Sequence, residues 1–270
     1  MSSHTLKRIL SAFVLILIVS MTFFSYQEYT LFLVVLIGFL VNDEIYINFF
    51  NYKRLSLGYI SVQFIYLFIF YVSLGNLFIE RYINYFGVAM NLGLLLYLFK
   101  GTENKNIFIK IKEKWPVCVF VLALTPMISL SYLVSFDKWR QLILLLLIVN
   151  FGMDSGAWFF GKMLGKRKLW PEVSPNKTVE GLLGGMITAG FLGYCSYFIL
   201  FSKNAPWVII IFSFLGFLSQ VGDLVQSKLK RQFGIKDSSS LIPGHGGVYD
   251  RIDSLVFVLP FFMLTIYYYY

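Results

Sequence analysis

The second half of the chain holds several stretches whose residue types suit phosphate and metal chemistry. The densest is Ser227 to Asp253, where Lys228, Lys230, Arg231, Lys236 and Arg251 share 27 residues with Asp237, Asp250 and Asp253. Inside it, Gly244-His245-Gly246-Gly247 is a turn sequence. Glycines let a backbone come close to a ligand, and successive N–H groups can nest an anion. Asp250 and Asp253 are three apart at the start of an apolar segment, so they share one side of a helix, although helix capping accounts equally well for either. Gln220, Asp223, Ser227 and Lys230-Arg231 also recur at helical spacing, which gives one face with a carboxylate below and cations above. A snorkelling basic helix end explains those cations but leaves Asp223 unexplained.

Two further groups lie upstream. Ser174-Pro175-Asn176-Lys177-Thr178-Val179-Glu180-Gly181 reads as a helix opening, with hydroxyls, an amide and a lysine where unsatisfied N–H groups and the helix dipole favour phosphate. A plain helix cap gives the same local pattern. Asp154, within Gly152-Met153-Asp154-Ser155-Gly156-Ala157-Trp158, sits inside an apolar segment, and a carboxylate at such depth is costly enough to suggest function. Pairing with a lysine for structure alone is the competing account. Gly152 and Gly156, and Gly181 and Gly185, have the small-xxx-small spacing of close helix packing. Carboxylates with no cluster of His or Cys point to hard oxygen coordination, Mg²⁺ rather than Zn²⁺. His245 stands alone, and general base, phosphate donor and turn residue all remain open for it.

The elements that must position these groups are membrane spans. With 58% hydrophobic and 19% aromatic residues in 270, the composition excludes an ordinary soluble domain. A span needs about 20 apolar residues, and candidates fall near 9–26, 29–42, 56–74, 82–99, 115–135, 139–160, 179–201, 205–222 and 252–270. The second is the weakest, its apolar core being short enough for a re-entrant or interfacial segment. The first follows Lys7-Arg8 and is read as a retained span, because no small-residue cleavage site follows it. If all nine cross, 19 of the 23 Lys and Arg fall on one side, which the positive-inside rule makes the cytoplasm. If the second does not cross, the split is 17 to 6 and the N-terminus moves outside, yet the basic loops of the second half still face the cytoplasm. The expected fold is therefore an all-α polytopic integral membrane protein of about nine transmembrane helices, N-terminus cytoplasmic and C-terminus outside.

Residues 1–138 are expected to supply about five spans without chemistry of their own, and 139–270 a catalytic region of about four, with cytoplasmic loops at 161–178 and 223–253. Residues 100–114 read as a basic solvated linker. Cys118 and Cys195 both lie in apolar segments and suggest packing rather than a disulfide or metal site. A net charge of +9 is compatible with anionic lipid or a phosphorylated substrate; nucleic acid is not an expected partner of such a chain.

Ser227-Lys228-Leu229-Lys230-Arg231, then Lys236-Asp237, then Ile242-Pro243-Gly244-His245-Gly246-Gly247-Val248-Tyr249-Asp250-Arg251-Ile252-Asp253 resembles the defining motif of the phosphatidate cytidylyltransferase family, the CDP-diacylglycerol synthases. Asp154 to Trp158 and Ser174 to Gly181 resemble two upstream stretches of that family, in the same order. The resemblance implies a cell-membrane enzyme in which CTP and phosphatidic acid give CDP-diacylglycerol and pyrophosphate, with Mg²⁺, alone or with a second cation. Carried over by position, it makes Asp223, Asp250, Lys236 and His245 the candidate catalytic residues. Asp223 and Asp250, backed by Asp253 and Asp154, become metal ligands. Lys177, Lys230, Arg231, Lys236 and Arg251 would hold phosphates, with Ser174, Asn176, Thr178 and Ser227 adding neutral groups. The chain departs from the family in having Asn176 for a second basic residue, Val179 for an aromatic one and Gln226 for an acidic one. CTP, phosphatidic acid, the bilayer and a second copy of the chain are the implied partners. An isoprenoid ether-lipid phosphate as acceptor would leave the same headgroup motifs. An anion transporter would instead line several spans with polar residues from face to face.

Overall fold

A computed structural model describes residues 3–99 and 119–269. The basic linker at 100–114, Cys118 and the first residues of the 115–135 segment lie outside the described residues. The described chain is mostly helical: α1 Ser3–Phe24, α2 Gln27–Glu44, α3 Leu57–Ser73, α4 Leu77–Phe99, α5 Val121–Val134, α6 Trp139–Leu164, α7 Val179–Phe201, α8 Val208–Gln232 and α9 Tyr249–Tyr269. In a bilayer an apolar segment must satisfy its own backbone groups, which is why these runs are helices. Six stretches among the described residues are long and apolar enough to cross: Gln27–Phe49, Leu77–Phe99, Trp139–Leu164, Val179–Phe201, Val208–Gln232 and Tyr249–Tyr268. The short-looking second segment is among them because α2 continues through a π-helical turn, Ile45–Phe49, whose dihedrals carry the run to 23 residues. Conversely, α3 and α5 are shorter apolar helices of 17 and 14 residues.

One element departs from the all-helical expectation. Strands β1 Lys168–Trp170 and β2 Ser174–Thr178 form an antiparallel hairpin with Lys168 opposite Thr178 and Trp170 opposite Ser174. The helix expected to open at Ser174 starts instead at Val179. Its cap is Thr178, extended at φ −125° and ψ 156°, whose hydroxyl accepts from Gly181 N at 3.1 Å. Glu180 accepts from the N–H groups of Lys166 and Arg167 at 3.0 and 3.1 Å, and Val179 N donates to Arg167 O at 2.9 Å, so hairpin and helix start are tied together.

The chain falls into two compact units, Met1–Phe136 with Lys230–Asp253, and Asp137–Leu229 with Ser254–Tyr270. The first unit has Tyr46, Tyr66, Phe70, Leu98, Met127, Ile128 and Leu133 at its core. Within it, Phe49 and Phe50 pack against Phe233, with ring centroids 5.6 Å apart in both cases, so the aromatic end of the π turn supports the polar 230–253 stretch. The second unit buries Leu142, Leu145, Met153, Leu215 and Phe262. Its α6 and α7 pack through glycines: a side chain at Gly181 would meet Ala157 O at 2.7 Å, and one at Gly156 would meet the Gly185 Cα at 3.1 Å as well as Thr188. Phe191, Ile187, Ile210 and Phe214 face outward, as lipid-facing residues do.

Candidate active site

In the second unit, the last turns of α6, the hairpin, the start of α7 and the middle of α8 surround a cavity of about 480 Å³. Asp154, Trp158, Asn176, Lys177, Thr178, Gln220 and Asp223 are among its lining residues. The local folding explains why they converge. Asp154 and Trp158 are four apart on α6 and Gln220 and Asp223 three apart on α8, so each pair shares a helix face. Lys177 and Thr178 arrive at the end of β2, where the chain turns into α7. The close approach of α6 and α7 at Gly161 and Gly181, both also in the cavity wall, brings the two helix ends together.

Charge inside this cavity is organised around Asp223. Lys177 Nζ lies 2.5 Å from Asp223 Oδ2, with the two side chains 20% and 33% exposed, and Ser227 Oγ donates to Asp223 Oδ1 at 3.2 Å. One turn below the two carboxylates, Ser219 Oγ donates to Asn150 Oδ1 at 2.7 Å and Asn150 Nδ2 donates to Ser254 Oγ at 3.1 Å. Asn150 is four residues before Asp154 and Ser219 four before Asp223, so this buried amide sets α6 against α8 at the height that places both carboxylates on the cavity. Of the expected site residues, Asp154, Asn176, Lys177, Thr178 and Asp223 come together here. Ser174 is half-buried on the hairpin and is not in the cavity wall.

The other expected residues belong to the first unit. Asp250, its side chain 4% exposed, accepts from Lys230 Nζ at 2.7 Å through Oδ1. Its Oδ2 accepts from Ser238 N at 2.7 Å, Gly247 N at 2.9 Å and Ser238 Oγ at 3.0 Å. Held in this way by Lys230, Ser238 and Gly247, Asp250 anchors the turn that precedes α9. Gly244 and Gly246 have φ of 77° and 88°, the left-handed region that glycine tolerates, and Ile242 pairs with Gly246 across the turn. His245 Nδ1 lies 2.7 Å from Ser11 Oγ on α1, and that hydroxyl also donates to Pro243 O at 3.0 Å. Arg251 Nη2 donates to His245 O at 2.6 Å. Lys236 and Asp237 are exposed, Arg231 donates to Ile235 O at 3.5 Å, and Asp253 is half-buried on α9.

Sequence reasoning assigned the first half no chemistry, and the structure shows Glu44 there, 2% exposed, holding the 238–249 turn. Its Oε1 accepts from Ser239 Oγ and Val248 N, both at 2.7 Å, and its Oε2 from Ser238 Oγ at 2.8 Å and Tyr249 N at 2.9 Å. The one signal available in the sequence was a pair of acidic residues, Asp43-Glu44, deep in an apolar run.

Among the described residues no group of three or more His, Cys, Asp or Glu is arranged to hold a metal ion. Mg²⁺ usually takes only one or two carboxylates and completes its shell with water and substrate phosphate. The donor set of the cavity, Asp154 and Asp223 with the amide of Gln220, has that chemistry.

The whole chain resembles known proteins. A family model described as "Cytidylyltransferase family" matches residues 6–269. A phosphatidate cytidylyltransferase of Bacillus subtilis (strain 168) is 50% identical over 125 residues, 44% of this chain and 46% of that protein. One of Staphylococcus aureus (strain COL) is 50% identical over 109 residues, 40% of this chain and 42% of that protein. One of Staphylococcus haemolyticus (strain JCSC1435) is 45% identical over 119 residues, 44% and 46% of the two chains. The matched stretch thus spans less than half the length of these relatives.

Proposed function

This chain belongs to the cytidylyltransferase family, and on that premise we propose that it is a multi-pass membrane nucleotidyltransferase that makes CDP-diacylglycerol and pyrophosphate from CTP and phosphatidic acid. The observation that carries the reading is the cavity where Asp154, Asp223, Lys177, Asn176 and Thr178 converge. A phosphate oxygen of phosphatidic acid attacks the α-phosphorus of CTP, a new P–O–P bond forms, and the bond to the β-phosphate oxygen breaks with pyrophosphate leaving. Mg²⁺ held by Asp154 and Asp223 would neutralise phosphate charge in this step.

The residues of the chain supply binding and orientation. Lys177, already paired with Asp223, is placed to exchange that partner for a phosphate oxygen. Asn176, on β2 two residues before the Thr178 cap, adds an uncharged donor beside the start of α7, where the dipole favours an anion. In the first unit, the exposed Lys236 and Arg251 are proposed phosphate holders, Lys230 serves through its pair with Asp250, and His245 presents Nε2 while Nδ1 faces Ser11. The topology that fits is the nine-helix one, N-terminus and polar loops cytoplasmic, with 19 of 23 Lys and Arg on that side. CTP then reaches the cavity from water, and the lipid moves in laterally.

Supplying the purified full chain with CTP and Mg²⁺, and offering diacyl phosphatidate or an isoprenyl ether-lipid phosphate as acceptor, tests the substrate assignment. Formation of CDP-diacylglycerol at a kcat/KM at least about tenfold above the isoprenyl product is expected. Preference for the isoprenyl acceptor would reassign the substrate, and no nucleotide-lipid from either would end the reading.

A further inference from the structure

Glu44 ends α2, far in sequence from the motif residues, yet its four acceptor positions are all taken by the 238–249 segment: two serine hydroxyls and two backbone N–H groups, at 2.7 to 2.9 Å. Buried acceptors of this kind are costly to lose, because each donor left behind is unsatisfied. The site is also shaped for the carboxylate, since a side chain at Gly247 would collide with Ser238 Oγ and both Glu44 oxygens. The α2 end is itself fixed: Asp43 accepts from Arg54 Nη2 at 2.9 Å and from Tyr59 OH at 2.6 Å, which ties it to the loop before α3 and to α3.

Ser238, fully buried, joins two carboxylates. Its single hydroxyl proton lies between Glu44 Oε2 at 2.8 Å and Asp250 Oδ2 at 3.0 Å, and its backbone N–H also donates to Asp250. Asp250 in turn holds Lys230 at 2.7 Å. A continuous relay therefore runs Glu44, Ser238, Asp250, Lys230, all within the first unit. A generic helix-packing role would need none of these four donors.

We propose that Glu44 is a positioning residue: it fixes the Ser238–Tyr249 turn, and through Ser238 the Asp250–Lys230 pair, in the conformation that takes substrate phosphate. The last clause rests on the function proposed above; the fixing of the turn does not. Glu44→Gln keeps the shape but turns an NH₂ toward one serine hydroxyl and one backbone N–H whichever way the amide lies. The test uses the full chain in detergent and reads three quantities: melting temperature, the rate of tryptic cleavage after the exposed Lys236, and KM and kcat measured for CTP and phosphatidate in turn. Faster cleavage by about tenfold is expected, together with a KM raised about tenfold for at least one substrate and a smaller change in kcat. Ser239→Ala, which removes one of the four donors, should shift cleavage and KM the same way by about threefold, and it decides the matter if Glu44→Gln does not fold. Cleavage and both KM values within twofold of wild type would overturn the proposal. So would a lowered melting temperature with unchanged KM, since that is a packing role alone. If the wild-type chain makes no product, the function reading fails, and the cleavage rates still decide whether Glu44 holds the turn.

Discussion

At the scale of single residues, the two best-placed carboxylates do different work. Asp223 is 33% exposed and paired with Lys177 and Ser227, whereas Asp250, 4% exposed, is held by Lys230, Ser238 and Gly247. Lys177→Ala should therefore leave a folded protein whose kcat/KM falls about 100-fold, the usual effect of removing one preorganised donor at a reacting phosphate or carbonyl. Steady-state kinetics on protein of verified abundance checks this, and near-normal turnover would take Lys177 out of the site. Asp250→Ala should remove activity and also lower the melting temperature, because it strands Lys230, 12% exposed, and two backbone N–H groups. The cost of leaving a buried charge unpaired is about 3 kcal/mol or more. An inactive variant with an unchanged melting temperature would contradict the anchoring role. Lys177 was legible in the sequence because it stands among hydroxyls and an amide where a helix opens, and Asp154 and Asp223 because an ionisable residue in an apolar run is conspicuous. Glu44 was equally conspicuous by that measure but had no motif around it. Its partners lie about 200 residues away, and a long-range hydrogen bond leaves no periodic trace in one sequence.

Among the elements, the pairing of α6 with α7 sets the cavity width. The small-xxx-small glycines announced close packing, and a side chain at Gly156 or Gly181 would meet backbone across the interface at 3.1 or 2.7 Å. Gly156→Leu should wedge the helices apart, costing about 1–3 kcal/mol of stability, and should lower activity even in the folded fraction because Asp154 and Trp158 line the cavity from the same helix. Thermal melting beside kinetics normalised to folded protein tests it; wild-type values for both would show that the interface tolerates the side chain. Helix positions were readable from apolar run length alone, while their ends were not. The Ser174–Thr178 strand looked like a helix opening because Ser, Pro and Glu at those offsets suit a cap; the pairing with Lys168–Trp170, a tertiary choice, moved the cap to Thr178. The π turn after α2 lengthened a segment whose hydropathy had seemed too short, since Ile45–Phe49 continues the run past two acidic residues.

For the whole molecule, composition alone dictated a multi-pass membrane protein, and orientation follows from the distribution of Lys and Arg. If the polar loops are cytoplasmic, a cysteine placed at Lys236, in a chain whose Cys118 and Cys195 are replaced by alanine, should react with an impermeant thiol reagent only from the cytoplasmic side. Labelling of intact cells from outside would invert the topology. The central claim is the reaction itself, and its most direct measurement is pyrophosphate release from CTP by the purified full chain in Mg²⁺, with and without phosphatidate. Release that depends on both lipid and metal and matches CDP-diacylglycerol one for one is the predicted result. Absence of release with CTP, phosphatidate and Mg²⁺ all present, from protein shown to be folded, would contradict it.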